Sequence, residues 1–454
     1  MTEEYRTIGQ LTAAFRRGDF SPLEWARRVW QRVESEADRF GGFTVRCRRQ
    51  FLEQARQSEN RYFEGRPLGP LDGVVIGLKD LITTRGMPTT AGSRILADYR
   101  PTADARVVER LLAVGANYYL GKLNLHEFAY GPTGTSSFYG PTRNPWDPVR
   151  MAGGSSSGSA LAVQRNWVSA ALGTDTGGSV RIPAALSGVT GLKPTYGAIP
   201  VEGVIPLAWS LDHVGILGRT ADDVRAVWAA VADGLGTALA ARPRRFRVRW
   251  ADNVGESYHP MIDRLARQAL RHLSEAGWIQ LDEGPLPQWE ALAAVQHVLL
   301  SAEASTFHWT WLRERADDYQ PDVRERLQTR GGLLAIHYLE ALRQRRRSMA
   351  AFSALWDQCD LIAMPTVPIT APLLTQTTVA TPAGTSEDIR QSLVKYTAPV
   401  NALGAPAIAH PVGMADGLPV SLQWIAPPGR EDWLLEVVQG YQALTDWHLK
   451  MPDV

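Results

Sequence analysis

The spacing of apolar side chains over residues 1–65 predicts a helical segment at the start of the chain. Ser21, Pro22 and Glu24 form a typical helix start: a capping serine, a proline in the first turn and a glutamate three positions after the serine. Apolar residues recur at helical spacing after this start and again over 51–63. No chemistry is recognisable in this segment, so we expect a helical packing layer.

From residue 70 onward the pattern changes, and short apolar runs alternate with stretches of helical periodicity. Strands are predicted over 73–78, 116–120, 168–172, 405–411 and 420–425. Helices are predicted over 104–114, 159–165, 180–186 and 431–443. Strands that alternate with helices predict an α/β fold with helices on both faces of a sheet.

Residues 220–395 are mostly helical in pattern and carry no recognisable motif. Helices are predicted there over 221–232, 259–276, 321–328 and 333–357. The strands after residue 400 are needed to complete a sheet that begins near residue 73. We therefore predict a single domain over 1–454, in which 220–395 is a largely helical peripheral excursion.

The charge balance argues against two kinds of partner. The 454-residue chain has 48 basic and 47 acidic side chains, which gives a formal net charge of +1. This leaves no electrostatic footprint for nucleic acid or an anionic membrane. No apolar run reaches the roughly 18 residues of a membrane helix, and the sequence does not open like a signal peptide. With two cysteines and no disulfide framework, we expect a cytoplasmic protein.

Two clusters of glycine and serine, over 153–159 and 173–179, stand directly before predicted helices. Such loops bind a standing anion or a transient oxyanion, because glycine lets the backbone N–H groups approach it. Neither cluster has the lysine of a phosphate-binding loop or the spacing of a dinucleotide fingerprint. A nucleophile elbow centred on Ser156 would need a preceding strand, but a stretch with two prolines stands there instead. The nine histidines lack metal-ligand spacing, so no metal and no cofactor are expected.

Ser179 ends the second cluster, and the residues alone leave its base open. Lys79 directly follows the apolar run 73–78, where desolvation would lower its pKa and let it accept a proton. A solvated lysine at a strand end, without a catalytic role, is the alternative.

A longer pattern resembles the amidase signature family. The similarity covers about 60–430 and is weakest in the helical excursion. The matching segments read GLKD (77–80), GKLNLHEFA (121–129), GGSS (153–156), LGTDTGGSVRIPA (172–184), GVTGLKPT (188–195), SLDHVG (210–215), MPT (364–366) and GLPV (417–420).

This resemblance implies a large mixed sheet covered by helices and a serine mechanism without a metal. Ser179 corresponds to the nucleophile, Ser155 to a bridging serine that follows a cis peptide bond, and Lys79 to the base. The other residues implied are the backbone N–H groups of Thr176, Gly177, Gly178 and Ser179 as the oxyanion hole, with Asp175 and Arg181 bracing the site.

The function implied is hydrolysis of linear amides, with carbamates, urethanes or ureides as further options, through an acyl-enzyme. The alternative is the A subunit of an aspartyl/glutamyl-tRNA amidotransferase, a glutamine amidase that works with a partner subunit. A third class, a non-catalytic binding protein, fits poorly with an intact Ser-Ser-Lys set. We favour the stand-alone amidohydrolase.

Substrate binding is expected along the loop before Ser155. Tyr130 and Thr133 are the predicted binding residues. The rings of Tyr130, Phe138 and Tyr139 favour an uncharged acyl group, and the alternative is that they only pack the loop. The expected partner is therefore a small-molecule amide or carbamate, with no nucleic acid and no membrane, and a homodimer is left open.

Overall fold

One large sheet forms the centre of the structure, a computed structural model that describes residues 5–233 and 243–452. Eleven strands form this sheet, in the order β1-β3-β2-β4-β6-β5-β12-β13-β9-β7-β8, and β10 pairs separately with β11. The strands are β1 (Phe43–Arg46), β2 (Ile76–Lys79), β3 (Gly121–Leu123), β4 (Ala170–Asp175), β5 (Thr190–Lys193), β6 (His213–Gly218), β7 (Phe246–Ala251), β8 (Ile279–Gly284), β9 (Leu361–Pro365), β10 (Thr378–Ala380), β11 (Ser386–Asp388), β12 (Ala407–Ala415) and β13 (Leu418–Ile425).

The sheet is mixed, as the resemblance implies. Strand β2 is parallel to both of its neighbours, β3 and β4, and β7 is parallel to both β8 and β9. Between these two parallel groups, the strands from β4 through β6, β5, β12 and β13 to β9 pair antiparallel.

Helices cover both faces of the sheet. Helices α2, α3 and α5 share an apolar cluster on one face, and α4, α7, α8 and α14 share a cluster on the other. No helix within 5–233 and 243–452 is long and apolar enough to span a bilayer. The helices are α1 (Ile8–Arg17), α2 (Pro22–Phe40), α3 (Arg48–Phe63), α4 (Arg106–Ala113), α5 (Ser157–Gln164), α6 (Arg181–Ser187), α7 (Ala221–Val231), α8 (Pro260–Glu275), α9 (Trp289–Glu314), α10 (Pro321–Arg330), α11 (Ala335–Leu355), α12 (Ile389–Val394), α13 (Ala398–Leu403) and α14 (Glu431–Leu444).

The predicted strand over 116–120 is wrong. The sheet strand β3 begins at Gly121, and within the predicted run Asn117 forms an isolated bridge to Val75. Tyr118 is buried all the same, with its ring 4.8 Å from that of Tyr119. The apolar run therefore indicated a buried segment correctly, but burial alone does not distinguish a strand from an irregular segment.

Residues 220–395 contain three strands of the main sheet, β7, β8 and β9, in addition to the predicted helices. In β7 the buried Phe246 and Val248 alternate with Arg247 and Arg249. This alternation has the period of a strand. The strand was not predicted, because the segment is rich in arginine and lies between helices. Strand β1 likewise lies within the predicted helical layer of 1–65, where it pairs with β3. The predicted division of the chain into a single domain with an excursion stays a prediction.

Two parallel neighbours of the sheet, β2 and β4, end side by side. Leu78 of β2 lies opposite Leu172 of β4. Lys79 at the end of β2 and the loop that follows Asp175 at the end of β4 therefore reach the same edge of the sheet. In open α/β sheets this carboxyl edge is where ligands usually bind.

Candidate active site

Lys79 is held by two hydroxyl groups at the carboxyl end of β2. Its Nζ lies 2.7 Å from Ser155 Oγ and 2.7 Å from Thr174 Oγ1. Lys79 and Ser155 are fully buried, and Thr174 is nearly so. Sequence reasoning missed Thr174, because its place beside Lys79 depends on the pairing of β2 with β4.

Burial lowers the pKa of Lys79 to about 7, because the charged ammonium loses its hydration there. The carboxylates of Asp175 and Asp212 act in the opposite direction and raise it. Lys79 is therefore not the solvated lysine that the sequence left open. An amine with this pKa can accept a proton near neutral pH.

The two predicted catalytic serines stand on adjacent backbone segments. The peptide bond between Gly154 and Ser155 is cis, as the resemblance implies. Beyond it, the Ser156 N–H donates to the carbonyl oxygen of Ser179 at 3.1 Å. Ser155 is fully buried, whereas Ser179 is 7% exposed and lines a cavity of about 230 Å³. Of the two, Ser179 is therefore the serine that a substrate can reach.

The loop over 176–179 presents backbone N–H groups beside Ser179. Gly178 has a φ of +126°, and a Cβ there would lie 2.2 Å from Thr397 Oγ1, so the position requires glycine. The Gly178 N–H donates to Asp175 Oδ1 at 2.8 Å. The N–H groups of Thr176, Gly177 and Ser179 have no acceptor in the part of the chain that the structure describes.

Side chains from distant elements fix the same loop. Thr176 Oγ1 donates to Asp212 Oδ1 at 2.7 Å, and Gln296 Nε2 of α9 donates to the Thr176 carbonyl at 3.1 Å. Thr397 Oγ1 donates to the Gly177 carbonyl at 2.7 Å. Because these carbonyl groups are engaged, the orientation of the peptide units in the loop is set before any substrate binds.

Asp175 and Arg181, the predicted bracing residues, form a fully buried pair beneath the loop. Arg181 Nε donates to Asp175 Oδ2 and Arg181 Nη2 to Asp175 Oδ1, each at 3.0 Å. Asn401 Nδ2 donates to Oδ1 at 2.9 Å. Burial alone would raise the pKa of Asp175, but the Arg181 guanidinium holds this pKa well below its ordinary value. Asp175 therefore stays ionised and continues to accept the Gly178 N–H.

The cavity beside Ser179 is cationic. Arg326, Arg330 and Arg390 line it, and none of its described lining residues is an aspartate or a glutamate. Tyr130, one of the two predicted binding residues, also lines it. No group of three or more His, Cys, Asp or Glu side chains in the described ranges is arranged to hold a metal ion.

The three arginines were missed from sequence. Arg326 and Arg330 are four residues apart on α10, so they share a helix face. The sequence shows this spacing, but the segment carries no motif and was interpreted as peripheral. The contacts that bring α10 to the cavity, with α9 and with Tyr130, are long-range and cannot be predicted from local sequence.

The other predicted pocket residues lie outside the cavity. The hydroxyl of Thr133 is 3.3 Å from His126 Nδ1 and 2.8 Å from Thr135 Oγ1, and its role in binding stays a prediction. Phe138 and Tyr139 pack against each other with ring centroids 5.3 Å apart. Neither ring lines the cavity, so the geometry does not support the expected uncharged acyl group.

Comparison with known proteins assigns the family. The family model described as Amidase matches residues 24–435. The chain belongs to the amidase signature family. As a member of this family, it is a hydrolase that acts on C–N bonds.

Relatives from this amidase family match the chain over its whole length. The A subunit of the glutamyl-tRNA(Gln) amidotransferase of Chloroflexus aurantiacus (strain J-10-fl) is 36% identical over 100% of this chain and 99% of that protein. One similar solved structure comes from work on a vestigial protein complex and the evolutionary origins of an s-triazine catabolic enzyme. Its TM-score is 0.89 and its identity 30%, and the match covers 97% of this chain and 98% of that chain. The A subunit of the Thermotoga maritima glutamyl-tRNA(Gln) amidotransferase has a TM-score of 0.78 and 27% identity, covering 95% of this chain and 94% of its own.

These relatives overturn the partner prediction made from the sequence. That prediction named a small-molecule amide or carbamate, no nucleic acid and no membrane, and it left a homodimer open. The curated relatives are each one subunit of an enzyme named for a transfer RNA. The near-zero net charge of this chain gave no indication of such relatives, since a subunit of an enzyme that acts on transfer RNA need not itself carry a basic surface.

Proposed function

We propose that Ser179, Ser155 and Lys79 form the catalytic unit of this amidase. The observation that carries the proposal is the buried 2.7 Å contact between Lys79 Nζ and Ser155 Oγ, next to the cavity that Ser179 lines. With a pKa of about 7, Lys79 is partly neutral at physiological pH and can accept a proton.

In the proposed reaction, Lys79 takes the proton of Ser155, and Ser155 takes the proton of Ser179. The Ser179 oxygen then attacks the amide carbon, and the C–N bond breaks as the relay returns the proton to the leaving nitrogen. Water attacks the resulting ester and gives a proton to the same relay. The bond between the acyl carbon and Ser179 Oγ then breaks, the relay returns the proton to Ser179, and the acid is released. The net reaction is amide plus water to carboxylic acid plus ammonia or an amine.

The backbone of 176–179 is the proposed oxyanion hole. The N–H groups of Thr176, Gly177 and Ser179 are the best supported donors, because all three lack an acceptor in the described structure. The Gly178 N–H is already bonded to Asp175, which favours a positioning role for Gly178. Each correctly placed donor is worth ~3–4 kcal/mol of transition-state stabilisation in related chemistry. We assign Asp175 and Arg181 to holding this loop in place.

We further propose that the chain acts as the A subunit of a glutamyl-tRNA(Gln) amidotransferase complex. In this role glutamine is the amide, and the released ammonia passes to a second site in the complex. The 36% identity over the full length of the relatives supports the proposal. The cationic cavity supports it too, because glutamine carries a carboxylate that an arginine can bind.

Hydrolysis of small linear amides or carbamates at the same site is the second candidate. The similarity to the structure linked with an s-triazine catabolic enzyme favours it. A carbamate presents the same kind of carbonyl carbon to Ser179, so the relay and the oxyanion hole would serve unchanged. The cavity of about 230 Å³ is large enough for a small acyl group.

Ammonia release from glutamine, measured for the chain alone and after mixing with the remaining subunits of such a complex, tests the proposal. We expect partner subunits and glutamyl-tRNA(Gln) to raise the rate at least tenfold, and Ser179→Ala to abolish it in both settings. A rapid reaction of the isolated chain with 4-nitroacetanilide or an aryl carbamate, unchanged by partners, would favour the second candidate. Full activity of folded Ser179→Ala would exclude both.

A further inference from the structure

The cavity beside Ser179 contains an unpaired cation and an unpartnered hydroxyl group. Arg330 lines it, and the guanidinium of Arg330 has no ion pair or hydrogen bond with any residue that the structure describes. The Tyr130 side chain is 2% exposed, and its hydroxyl has no hydrogen-bond partner within the described chain. A buried donor without a partner is costly unless a ligand satisfies it. Both groups would be satisfied by an anionic ligand oxygen.

Arg326 brings a second guanidinium to the same place. It is 6% exposed and lies over the Tyr130 ring, 5.0 Å from the ring centroid. Its Nη2 donates to Asp322 Oδ2 at 2.6 Å and lies 3.1 Å from His126 Nε2, and its Nε donates to the Asp322 carbonyl at 3.2 Å. Its Nη1 makes no hydrogen bond with the described residues. Nε and Nη2 thus fix the position of the Arg326 guanidinium, and Nη1 is available to a ligand.

The carboxylates of Asp322 and Asp388, near the cavity, form ion pairs with arginines and do not line it. Asp322 is bonded to Arg326, Asp388 pairs with Arg390 at 2.5 Å, and neither lines the cavity. The exposed Glu325 acts on Arg390 through its charge. An ammonium group on a ligand would therefore face guanidinium groups without a lining carboxylate, and like charges at short range repel.

We infer that this pocket recognises a carboxylate on the acyl group and provides no counter-charge for an ammonium. Its preferred substrates are then ω-monoamides of dicarboxylic acids that lack an α-amino group, which water converts to the dicarboxylate and ammonia. Glutamine is accepted through its carboxylate, while its ammonium weakens binding. The inference rests on the proposed function for the Ser179-dependent hydrolysis, but recognition itself can be measured without turnover.

Ammonia release from three amides of equal chain length tests the inference in the assembled complex. The amides are glutaramate, which has a carboxylate alone; glutamine, which adds the ammonium; and pentanamide, which has neither. We expect kcat/KM for glutaramate to exceed kcat/KM for glutamine by about tenfold. The excess over kcat/KM for pentanamide should be larger still. A glutaramate-to-glutamine ratio at or below one, or equal values for glutaramate and pentanamide, would overturn the inference.

Binding to the inactive Ser179→Ala variant separates the two proposals. If no amide is turned over, the proposed function fails, and calorimetric titration of this variant still decides the inference. Tighter binding of glutaramate than of glutamine supports a pocket selective for the anion. Tighter binding of glutamine refutes it, whatever the turnover shows.

Matched variants locate the recognition. Arg330→Gln and Tyr130→Phe should weaken glutaramate binding at least tenfold and leave pentanamide binding unchanged. Arg324→Gln is the control, because Arg324 lies on the same helix but pairs with Asp317 and does not line the cavity. Arg330→Glu should shift the preference toward glutamine. Equal losses for glutaramate and pentanamide would indicate general damage and count against the inference.

Discussion

Lys79 Nζ and Ser155 Oγ are 2.7 Å apart, and both side chains are fully buried. Burial lowers the pKa of Lys79 to about 7, so the amine at this contact changes its protonation state near neutrality. The proposed base and the proposed bridging serine therefore form a unit whose protonation can be followed by pH.

Activity should depend on pH through Lys79. Because the relay needs the neutral amine, kcat/KM should rise with pH and reach half its maximum near pH 7, where the pKa of Lys79 lies. The measurement is the pH profile of kcat/KM on an amide whose charge is constant from pH 5.5 to 9.

Asp212 provides an internal test of this assignment. Its carboxylate raises the pKa of Lys79, so Asp212→Asn should move the midpoint of the profile to lower pH. Asp222→Asn is the control, since Asp222 is exposed on α7 and should leave the midpoint in place. A midpoint that rises in Asp212→Asn would show that another group controls the profile.

Stability should also depend on pH through Lys79. The folded-state pKa of about 7 lies below the unfolded value near 10.4, so the unfolded state binds more protons between these limits. The free energy of unfolding should therefore rise with pH across this window. Lys79→Met removes the effect, and its stability relative to the wild-type protein should be ~2–3 kcal/mol more favourable at pH 6 than at pH 9.

Denaturant unfolding of both proteins at the two pH values measures this difference. Lys395→Met is the control for the loss of a lysine side chain, because Lys395 is only partly buried and lies outside the proposed relay. Parallel stability curves for the wild-type protein and Lys79→Met would mean that Lys79 is not desolvated as described.

The arrangement around Ser179 illustrates how much the sequence could predict. The positions of Lys79, Ser155 and Ser179 follow from long ordered motifs, and the structure places them at one sheet edge, beside the cavity. The apolar runs before Lys79 and before Asp175 also predicted the two strands that carry the site. Local sequence carries this information for Lys79 and Ser179, because their motifs stand at the ends of β2 and β4. No strand directly precedes Ser155, so its position followed from the family resemblance alone.

Two features depended on long-range packing and were not predictable locally. Thr174 reaches Lys79 because β2 and β4 pair, and sequence spacing does not specify which strands become neighbours. Arg326 and Arg330 reach the cavity because α10 packs against α9 and Arg326 lies over the Tyr130 ring, although the segment has no motif of its own. The aromatic rings at Phe138 and Tyr139 misled the substrate prediction, since proximity in sequence to Ser155 did not place them in the pocket.

Ser179 should be the residue that forms a covalent bond. Ser179→Ala should lower kcat by at least ~10³-fold, and Ser155→Ala should lower it strongly, because each breaks the proton relay. A sulfonyl fluoride should label Ser179, which lines the cavity, as seen by peptide mass spectrometry. Labelling should be lost in Ser179→Ala and slowed in Ser155→Ala.

Ser159→Ala is the matched control for both variants. Ser159 is a buried serine of the same segment, and its hydroxyl donates to the Leu172 carbonyl at 3.2 Å. Its loss should affect stability modestly and leave labelling intact. Equal loss of labelling in Ser159→Ala would show that damage to the segment, and not the relay, explains the result.

The buried pair of Asp175 and Arg181 should stabilise the folded protein through charge complementarity. Arg181→Met leaves the Asp175 carboxylate buried without its partner, which should lower the free energy of unfolding by ~3–5 kcal/mol at pH 7. Without Arg181, burial would raise the pKa of Asp175 above its unfolded value, so protonation should favour the folded variant. The deficit relative to the wild-type protein should therefore shrink as the pH is lowered from 7 to 5.

Denaturant unfolding over this pH range, together with the double variant Asp175→Asn/Arg181→Met, completes the test. The double variant removes the stranded charge, so it should be more stable than Arg181→Met and show a weaker pH dependence. Arg247→Met is the control, because Arg247 pairs with Asp360 at 2.8 Å while its side chain is 49% exposed. Its loss should cost less than ~1 kcal/mol. A deficit in Arg181→Met that is constant from pH 7 to 5 would mean that lost packing, and not the unpaired carboxylate of Asp175, destabilises the variant.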